Sequence, residues 1–278
     1  MLTIGTPACG EEEDKGVNFP VNFLTLIHTP VDNLNLLTQS ADLVDSSSSR
    51  LDFVAESPLM QRLYPPGNPA TVPALAEAYL TPVRHSTRPW VVLSMVHSID
   101  GSTSLTGVSG PLGSAADQQV FSTLRSRADL LLVGAGTVRA EGYQPLRRPS
   151  QRLAIVTGSG NLPWSEPVYT HAQTVIVTTE DGPDLPVTPL RAGIGRVDLA
   201  KALDLLAPDV VLLEGGSSLN AQMLQAGLVD ELCITTAPVT VLGTGPRVAQ
   251  GAVEAIQAFR LHQILEEEGY LFSRYLRR

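Results

Sequence analysis

The sequence predicts an α/β domain: a mostly parallel central sheet with flanking helices and an antiparallel hairpin near the C-terminal end. Two observations predict the parallel part. Short, near-continuous apolar runs recur along the chain, as strands buried on both faces require. Stretches of helical periodicity separate them, the alternation of a parallel sheet with crossover helices. A third observation predicts the hairpin: two apolar stretches, Leu261–Leu265 and Tyr270–Tyr275, flank the turn pair Glu268-Gly269. That hairpin is expected to form the edge of the sheet.

Taken in order, residues 1–50 carry EEEDK, scattered Asn and Pro, and a serine run, without sustained periodicity. They read as a poorly structured leader. Residues 51–87 read as a packing arm, with a turn at Tyr64-Pro65-Pro66-Gly67-Asn68 and a helix over Ala74–Leu80. Residues 88–278 hold the main domain. Trp90–His97 is its first buried strand. Ser114 is placed to cap a helix, with Asp117 as a capping-box-like acid and Val120, Phe121 and Leu124 as the apolar face. Strands follow at Leu130–Val133, Leu153–Thr157 and Val175–Thr179. A helix over Asp198–Leu206 places Leu199, Ala202, Leu203 and Leu206 on one side. Val210–Leu213 is a strand, Ser217–Gln225 a helix closed by Gly227, and Glu231–Thr236 a strand leading into a loop at Gly243-Thr244-Gly245-Pro246.

Composition excludes several classes. The net charge is −9 and the longest basic runs are Arg pairs, so no basic face for free nucleic acid is expected. The two cysteines, Cys9 and Cys233, cannot build a disulfide framework or a zinc site, and no metal is expected. No apolar run approaches a membrane span, and the N-terminus lacks the order of a signal peptide. A cytoplasmic protein is the expectation.

Three polar loops follow three buried strands, at Asp100, at Gly134–Thr137 and at Glu214–Ser218. In a parallel sheet all three lie at the carboxyl edge, where α/β proteins bind ligands. Gly216 and Ser217 open a helix, whose N–H groups and dipole favour a phosphate. Gly134 and Gly136 let a ligand approach the backbone, or form an ordinary tight turn. Three residues after Gly136 stands Arg139, so the pattern is not the dinucleotide fingerprint G-x-G-x-x-G. Glu214 is either an acid serving a helix N-terminus or a ligand-binding carboxylate. Asp100, in an Asp-Gly pair, is either a turn cap or a functional acid. Arg125, Arg147 and Arg148 are either solvated or anion-binding.

Four segments, SIDG (98–101), LRSRAD (124–129), GAGTVRAE (134–141) and LLEGG (212–216), occur in this order. In kind and spacing they resemble the reductase domain of riboflavin biosynthesis over about Arg88 to Tyr275. The resemblance implies a dihydrofolate-reductase-like fold, a homodimer, NADPH as cofactor and a phosphorylated pyrimidine as substrate. The expected activity is reduction of 5-amino-6-(5-phosphoribosylamino)uracil at the sugar C1′. It implies that Glu214 lies against the pyrimidine and that Asp100 orients the substrate or relays a proton. Ser109, Arg125 and one of Arg147 and Arg148 fall on substrate positions. Val96, Pro111, Gly134, Gly136, Thr137, Glu141, Gly215, Gly216, Ser217, Ser218 and Leu219 fall on cofactor positions. Ser159 falls near a cofactor 2′-phosphate.

The chain departs from the family pattern at three places. Ser94 replaces a Lys, Pro111 a Trp and Glu141 an Asp. The H-x-E and P-C-x-x-C of the zinc deaminase that commonly accompanies this domain are absent. Two other readings therefore stay open: a dihydrofolate or pterin reductase on the same fold, and an idle NADP-binding protein.

Overall fold

The structure is a computed structural model and describes residues 59–71, 74, 88–251 and 253–278. The leader and the helix expected over Ala74–Leu80 lie outside these, apart from residue 74. The described strands are β1 (Leu59–Tyr64), β2 (Gly67–Thr71), β3 (Trp90–Ser98), β4 (Leu130–Gly134), β5 (Arg152–Val156) and β6 (Thr174–Thr178). They continue with β7 (Leu190–Arg191), β8 (Val210–Leu213), β9 (Glu231–Ala237), β10 (Phe259–Glu267) and β11 (Tyr270–Arg277). The helices are α1 (Ala115–Arg127), α2 (Ala135–Glu141), α3 (Pro167–Thr170), α4 (Leu199–Leu206) and α5 (Ser217–Gln225).

The strands form one eleven-stranded sheet in the order β2-β1-β10-β11-β9-β3-β8-β4-β5-β6-β7. From β9 to β7 every pairing is parallel; from β2 to β9 every pairing is antiparallel. The expected mixed, mostly parallel sheet with a C-terminal hairpin is present.

Alternation along each strand sorts the core into two layers. Val92, Leu131, Val133, Leu153, Ile155 and Leu212 face α1, α2 and α3. Val91, Leu93, Leu130, Leu132, Val211 and Leu213 face α4 and α5. Burial of each such Val or Leu contributes about 1.5–3 kcal/mol, so the apolar strands hold the layers together. Local signals start the helices. Ser114 Oγ accepts the Asp117 N–H at 3.1 Å, and Asp198 Oδ1 accepts the Lys201 N–H at 3.0 Å. The four apolar positions of α4 are all buried.

Three features differ from expectation. The C-terminal hairpin is not the edge, because β1 pairs antiparallel with β10 and β2 lies outside β1. The described part of the arm thus forms a hairpin around Pro65-Pro66, and Pro is tolerated there because a turn needs no ladder N–H. Gly134–Thr137 is not a loop: β4 runs directly into α2, with Gly134 as N-cap. Two glycines hid this short helix, since glycine disfavours helix interiors. The very short β7 and α3 left no periodic signal in the sequence.

Two carboxylate–arginine pairs lock the antiparallel half to β3. Arg274 Nε and Nη2 donate to Glu231 at 2.6 and 2.8 Å, both side chains being buried. Trp90 Nε1 adds a third donor at 3.3 Å. Arg88 forks onto Asp230, whose Oδ2 also accepts the Val91 N–H at 2.9 Å.

Candidate active site

Strands β3, β8 and β4 are neighbours and parallel, so the loops after them meet at the carboxyl edge. The two glycine segments are in contact with one another. Gly134 N–H donates to the Gly215 carbonyl at 2.7 Å. A Cβ on Gly134 would lie 3.2 Å from Gly216 N, and one on Gly216 would lie 2.9 Å from Thr137 Oγ1. The glycine at 134 thus eases a close backbone approach to the Gly215–Gly216 segment, and the one at 216 leaves room for the Thr137 hydroxyl, before any ligand is considered. The Gly215–Gly216 peptide is cis. Gly136 is exposed, and a Cβ there would meet nothing within 4 Å. Gly216 is the N-cap of α5, which has no side-chain cap, so its first N–H groups at Ser217 and Ser218 face the loop region. Leu219, by contrast, is buried in the layer beneath α5.

Glu214 ends β8 on the α1 face, with its side chain almost fully buried. Arg125 Nε and Nη2 donate to its two oxygens at 2.7 and 2.8 Å, and Tyr143 Oη donates to Oε2 at 2.6 Å. The guanidinium stacks 4.8 Å over Phe121 and 5.1 Å over Tyr143. Burial first, and then the Glu214 charge, push the Tyr143 phenol well above its ordinary pKa, so it stays a donor. Glu214 was expected to accept two N–H donors from the pyrimidine. The fork of Arg125 takes one acceptor site on each oxygen and Tyr143 a second on Oε2, so Glu214 orients Arg125 while Oε1 keeps a further acceptor site.

Asp100 is exposed and fully engaged. Oδ1 accepts from Ser98 Oγ at 2.5 Å and the Val241 N–H at 3.0 Å; Oδ2 accepts the Leu242 N–H at 2.8 Å. The Ser98 hydroxyl foremost, then these two N–H groups, lower its pKa to about 2. A carboxyl so acidic holds no proton to relay near neutrality. It fastens the segment after β9, which is also tied by Ile99 N–H to Val239 O at 2.8 Å and Asn220 Nδ2 to Val248 O at 2.7 Å.

The remaining expected residues divide. Ser109 N–H donates to Glu141 Oε1 at 2.8 Å, joining the residue expected to meet substrate to one expected to meet cofactor. Pro111 is exposed in the single 3₁₀ turn Gly110–Leu112 that precedes α1. Ser94 and Val96 are half-buried on β3 and share the face with Glu214. Arg147 is exposed. Arg148 does not join the edge: its Nη1 donates to Ser126 O at 2.6 Å, at the C-terminal end of α1, towards the opposite end of the strands. An arginine there serves the helix's last carbonyls. Ser159 Oγ accepts the Asn161 N–H at 3.3 Å after β5. Among the described residues no His, Cys, Asp or Glu cluster is placed to hold a metal, and no helix is long and apolar enough to cross a membrane.

Sequence reasoning missed two residues. Tyr143 gave no signal beyond an aromatic after a helix. Asp117 reads as a capping acid, but its carboxyl does not turn back to Ser114. It faces Thr235 on β9, and a Cβ on Gly113 would lie 3.1 Å from Oδ2. Desolvation raises its pKa to about 6 against the lowering effect of Thr235.

The mixed sheet, the paired glycine segments and the helix starts at one carboxyl edge define an α/β domain whose carboxyl edge suits a small-molecule ligand. The chain belongs to the RibD C-terminal domain family, which matches residues 89–266. It is 30% identical over 200 residues to the 2,5-diamino-6-ribosylamino-4(3H)-pyrimidinone 5′-phosphate reductase of Methanothermobacter thermautotrophicus, covering 63% of this chain and 90% of that protein. With the riboflavin biosynthesis protein RibD of Chlamydia pneumoniae it shares 29% identity over 59% of this chain but only 50% of that protein. A pyrimidine reductase-like protein from Corynebacterium diphtheriae has the same fold, with a TM-score of 0.66, 23% identity, and coverage of 75% of this chain and 99% of that one.

Proposed function

We propose that this chain is an NADPH-dependent reductase of a phosphoribosylamino-pyrimidine in riboflavin biosynthesis. The names of its relatives support the reaction. The observation that carries the reading is the meeting of Gly136, the uncapped start of α5 and the Arg125–Glu214 pair at one carboxyl edge. The exposed Gly136 at the start of α2 and the N–H groups of Ser217 and Ser218 suit a phosphate-bearing dinucleotide, because helix N-termini favour anions. Val96, Pro111, Gly134, Gly136, Thr137, Glu141, Gly215, Gly216, Ser217 and Ser218 would hold NADPH, with Leu219 anchoring α5 from below and Ser159 near the 2′-phosphate. NADPH supplies the hydride for the sugar C1′.

The chain's own residues bind and orient. Arg125, held at a fixed angle by Glu214 and Tyr143, and Arg147 offer positive charge to the substrate phosphate. Such remote anchoring lets binding energy serve orientation. Ser109 lies between substrate and cofactor through its link to Glu141. Asp100 shapes the loop that closes the edge rather than moving a proton. The class includes the uracil form of the substrate and its 2-amino-pyrimidinone counterpart, which differ at ring C2. Calorimetry with NADPH and NADH tests the cofactor: tight binding of NADPH and weaker binding of NADH is expected, and binding of neither overturns the reading.

A further inference from the structure

Arg139 stands in α2 where the dinucleotide fingerprint would have its third glycine, three residues after Gly136. We propose that Arg139, with Ser159 beside it, reads the 2′-phosphate of the cofactor and so sets the preference for NADPH over NADH. This rests on the proposed function and deepens it, by assigning the discrimination to one side chain.

The argument starts from placement. β4 and β5 are parallel neighbours, with Gly134 beside Val156, so α2 and the loop after β5 leave the sheet at the same edge. Thr137 lies against Gly216 on one flank of α2, and Val138 is buried in the core. At 3.6 residues per turn this sets residue 139 on the other flank, towards β5. There Arg139 Nη1 donates to the Asn161 carbonyl at 3.0 Å. The Asn161 N–H donates in turn to Ser159 Oγ at 3.3 Å, so Arg139 and Ser159 meet through one residue. Both are exposed. Among the described residues Arg139 forms no ion pair, its Nε and Nη2 donate to nothing, and the Ser159 hydroxyl hydrogen is likewise unused. Two titratable groups lie nearby. Glu166 caps α3 and is exposed. Burial first, and then Glu166, raise the pKa of the Tyr169 phenol against the lowering effect of Arg139, so Tyr169 stays neutral.

The loop itself points the same way. Residues 157–161 read Thr-Gly-Ser-Gly-Asn and carry no carboxylate. In α/β dinucleotide sites an acid takes the free ribose diol of NADH, whereas an arginine takes the 2′-phosphate of NADPH. Here the acid is missing and the arginine is present. A guanidinium offers parallel N–H donors that match two phosphate oxygens, and the Ser159 hydroxyl offers one more. NADH carries only a neutral hydroxyl at this place, so it forgoes the charge-assisted bonds and keeps its other contacts. Because Arg139 and Ser159 are exposed, the attraction is screened by salt.

The test is calorimetry with two pairs of ligands that differ only in the 2′-phosphate: NADPH and NADH, and adenosine 2′,5′-diphosphate and 5′-AMP. Wild type, Arg139→Ala and Arg139→Gln are compared. Wild type is expected to bind the phosphorylated member of each pair at least about tenfold more tightly, the lower end of a charged hydrogen bond. That ratio should shrink as salt is raised. In Arg139→Ala both ratios should fall to within about threefold of one, through weaker NADPH and adenosine 2′,5′-diphosphate binding, with NADH and 5′-AMP affinities unchanged. A ratio that survives in a folded Arg139→Ala overturns the inference and leaves the reductase reading intact. So does an equal loss for NADPH and NADH, which marks a merely structural role for the bond to Asn161. A wild type that binds neither dinucleotide overturns the reductase reading itself. Should Arg139→Ala fail to fold, Arg139→Gln, which keeps a donor for the Asn161 carbonyl and removes the charge, decides by the same ratios.

Discussion

Arg125 and Glu214, 89 residues apart, close on one another through two parallel hydrogen bonds of 2.7 and 2.8 Å at the mouth of the sheet. The pair converts a flexible helix arginine into a fixed cation, backed by Phe121 and Tyr143. Removing either partner leaves the other poorly compensated, which is the costly case for a buried pair.

Glu214→Gln keeps the shape and removes the charge. The variant is expected to lose about 2–4 kcal/mol of unfolding free energy, since one partner of a buried pair is left behind. Turnover should fall more than NADPH affinity. Denaturant unfolding and calorimetry check both; a loss of cofactor affinity with turnover intact at saturating NADPH contradicts the assignment.

Arg125 and Arg148 look equivalent in sequence but should part in the laboratory. Arg148→Ala removes one surface hydrogen bond to Ser126 O, so stability should change by less than about 1 kcal/mol and substrate KM by less than about twofold. Arg125→Ala should raise KM for the phosphorylated pyrimidine by at least about tenfold, the cost of a lost charge-assisted contact. Equal effects of the two substitutions would place Arg148 in the site after all.

The contrast between these arginines shows what the sequence made legible. The strands, the capped helices and the carboxyl-edge loops were readable because apolar runs, Ser114 and Asp198 act locally. Partnerships across the fold were not. Nothing near Glu214 announces Arg125, and the spacing of Asp117 from Ser114 suits a capping box better than a carboxyl turned towards Thr235. Gly134 and Gly216 were read as ligand-facing, whereas they first accommodate each other. The arm's hairpin escaped notice because Pro65-Pro66 suggests a turn without saying what the turn joins.

Asp117 should leave a mark on stability. Its folded pKa of about 6 lies above the ordinary 3.8, so the folded state binds the proton more tightly than the unfolded state. Stability from this group is therefore present below pH 4 and is lost as pH rises from about 4 to about 6. Asp117→Asn removes that loss. At pH 7.5 the variant should be more stable than wild type by up to about 3 kcal/mol, shrinking towards zero at pH 4. A Tm difference that is flat between pH 4 and pH 7.5 contradicts the desolvated placement.

Asp100 has the opposite sign. Its folded pKa of about 2 lies below the ordinary 3.8, so its contribution is present above pH 4 and disappears as pH falls towards 2. Asp100→Asn should loosen residues 239–250 to limited proteolysis at pH 7, while the pH dependence of turnover between pH 6 and 8 stays as in wild type. A changed pH profile in that range would restore Asp100 as a proton relay.

The central claim is the reaction. NADPH oxidation, followed with a phosphoribosylamino-pyrimidine, with dihydrofolate and with neither, tests it most directly. Oxidation is expected with the pyrimidine phosphate, at modest rate because Ser94 stands where the family resemblance implies a Lys, and none above background in the other two. Oxidation with dihydrofolate alone, or NADPH bound but never consumed, would contradict it.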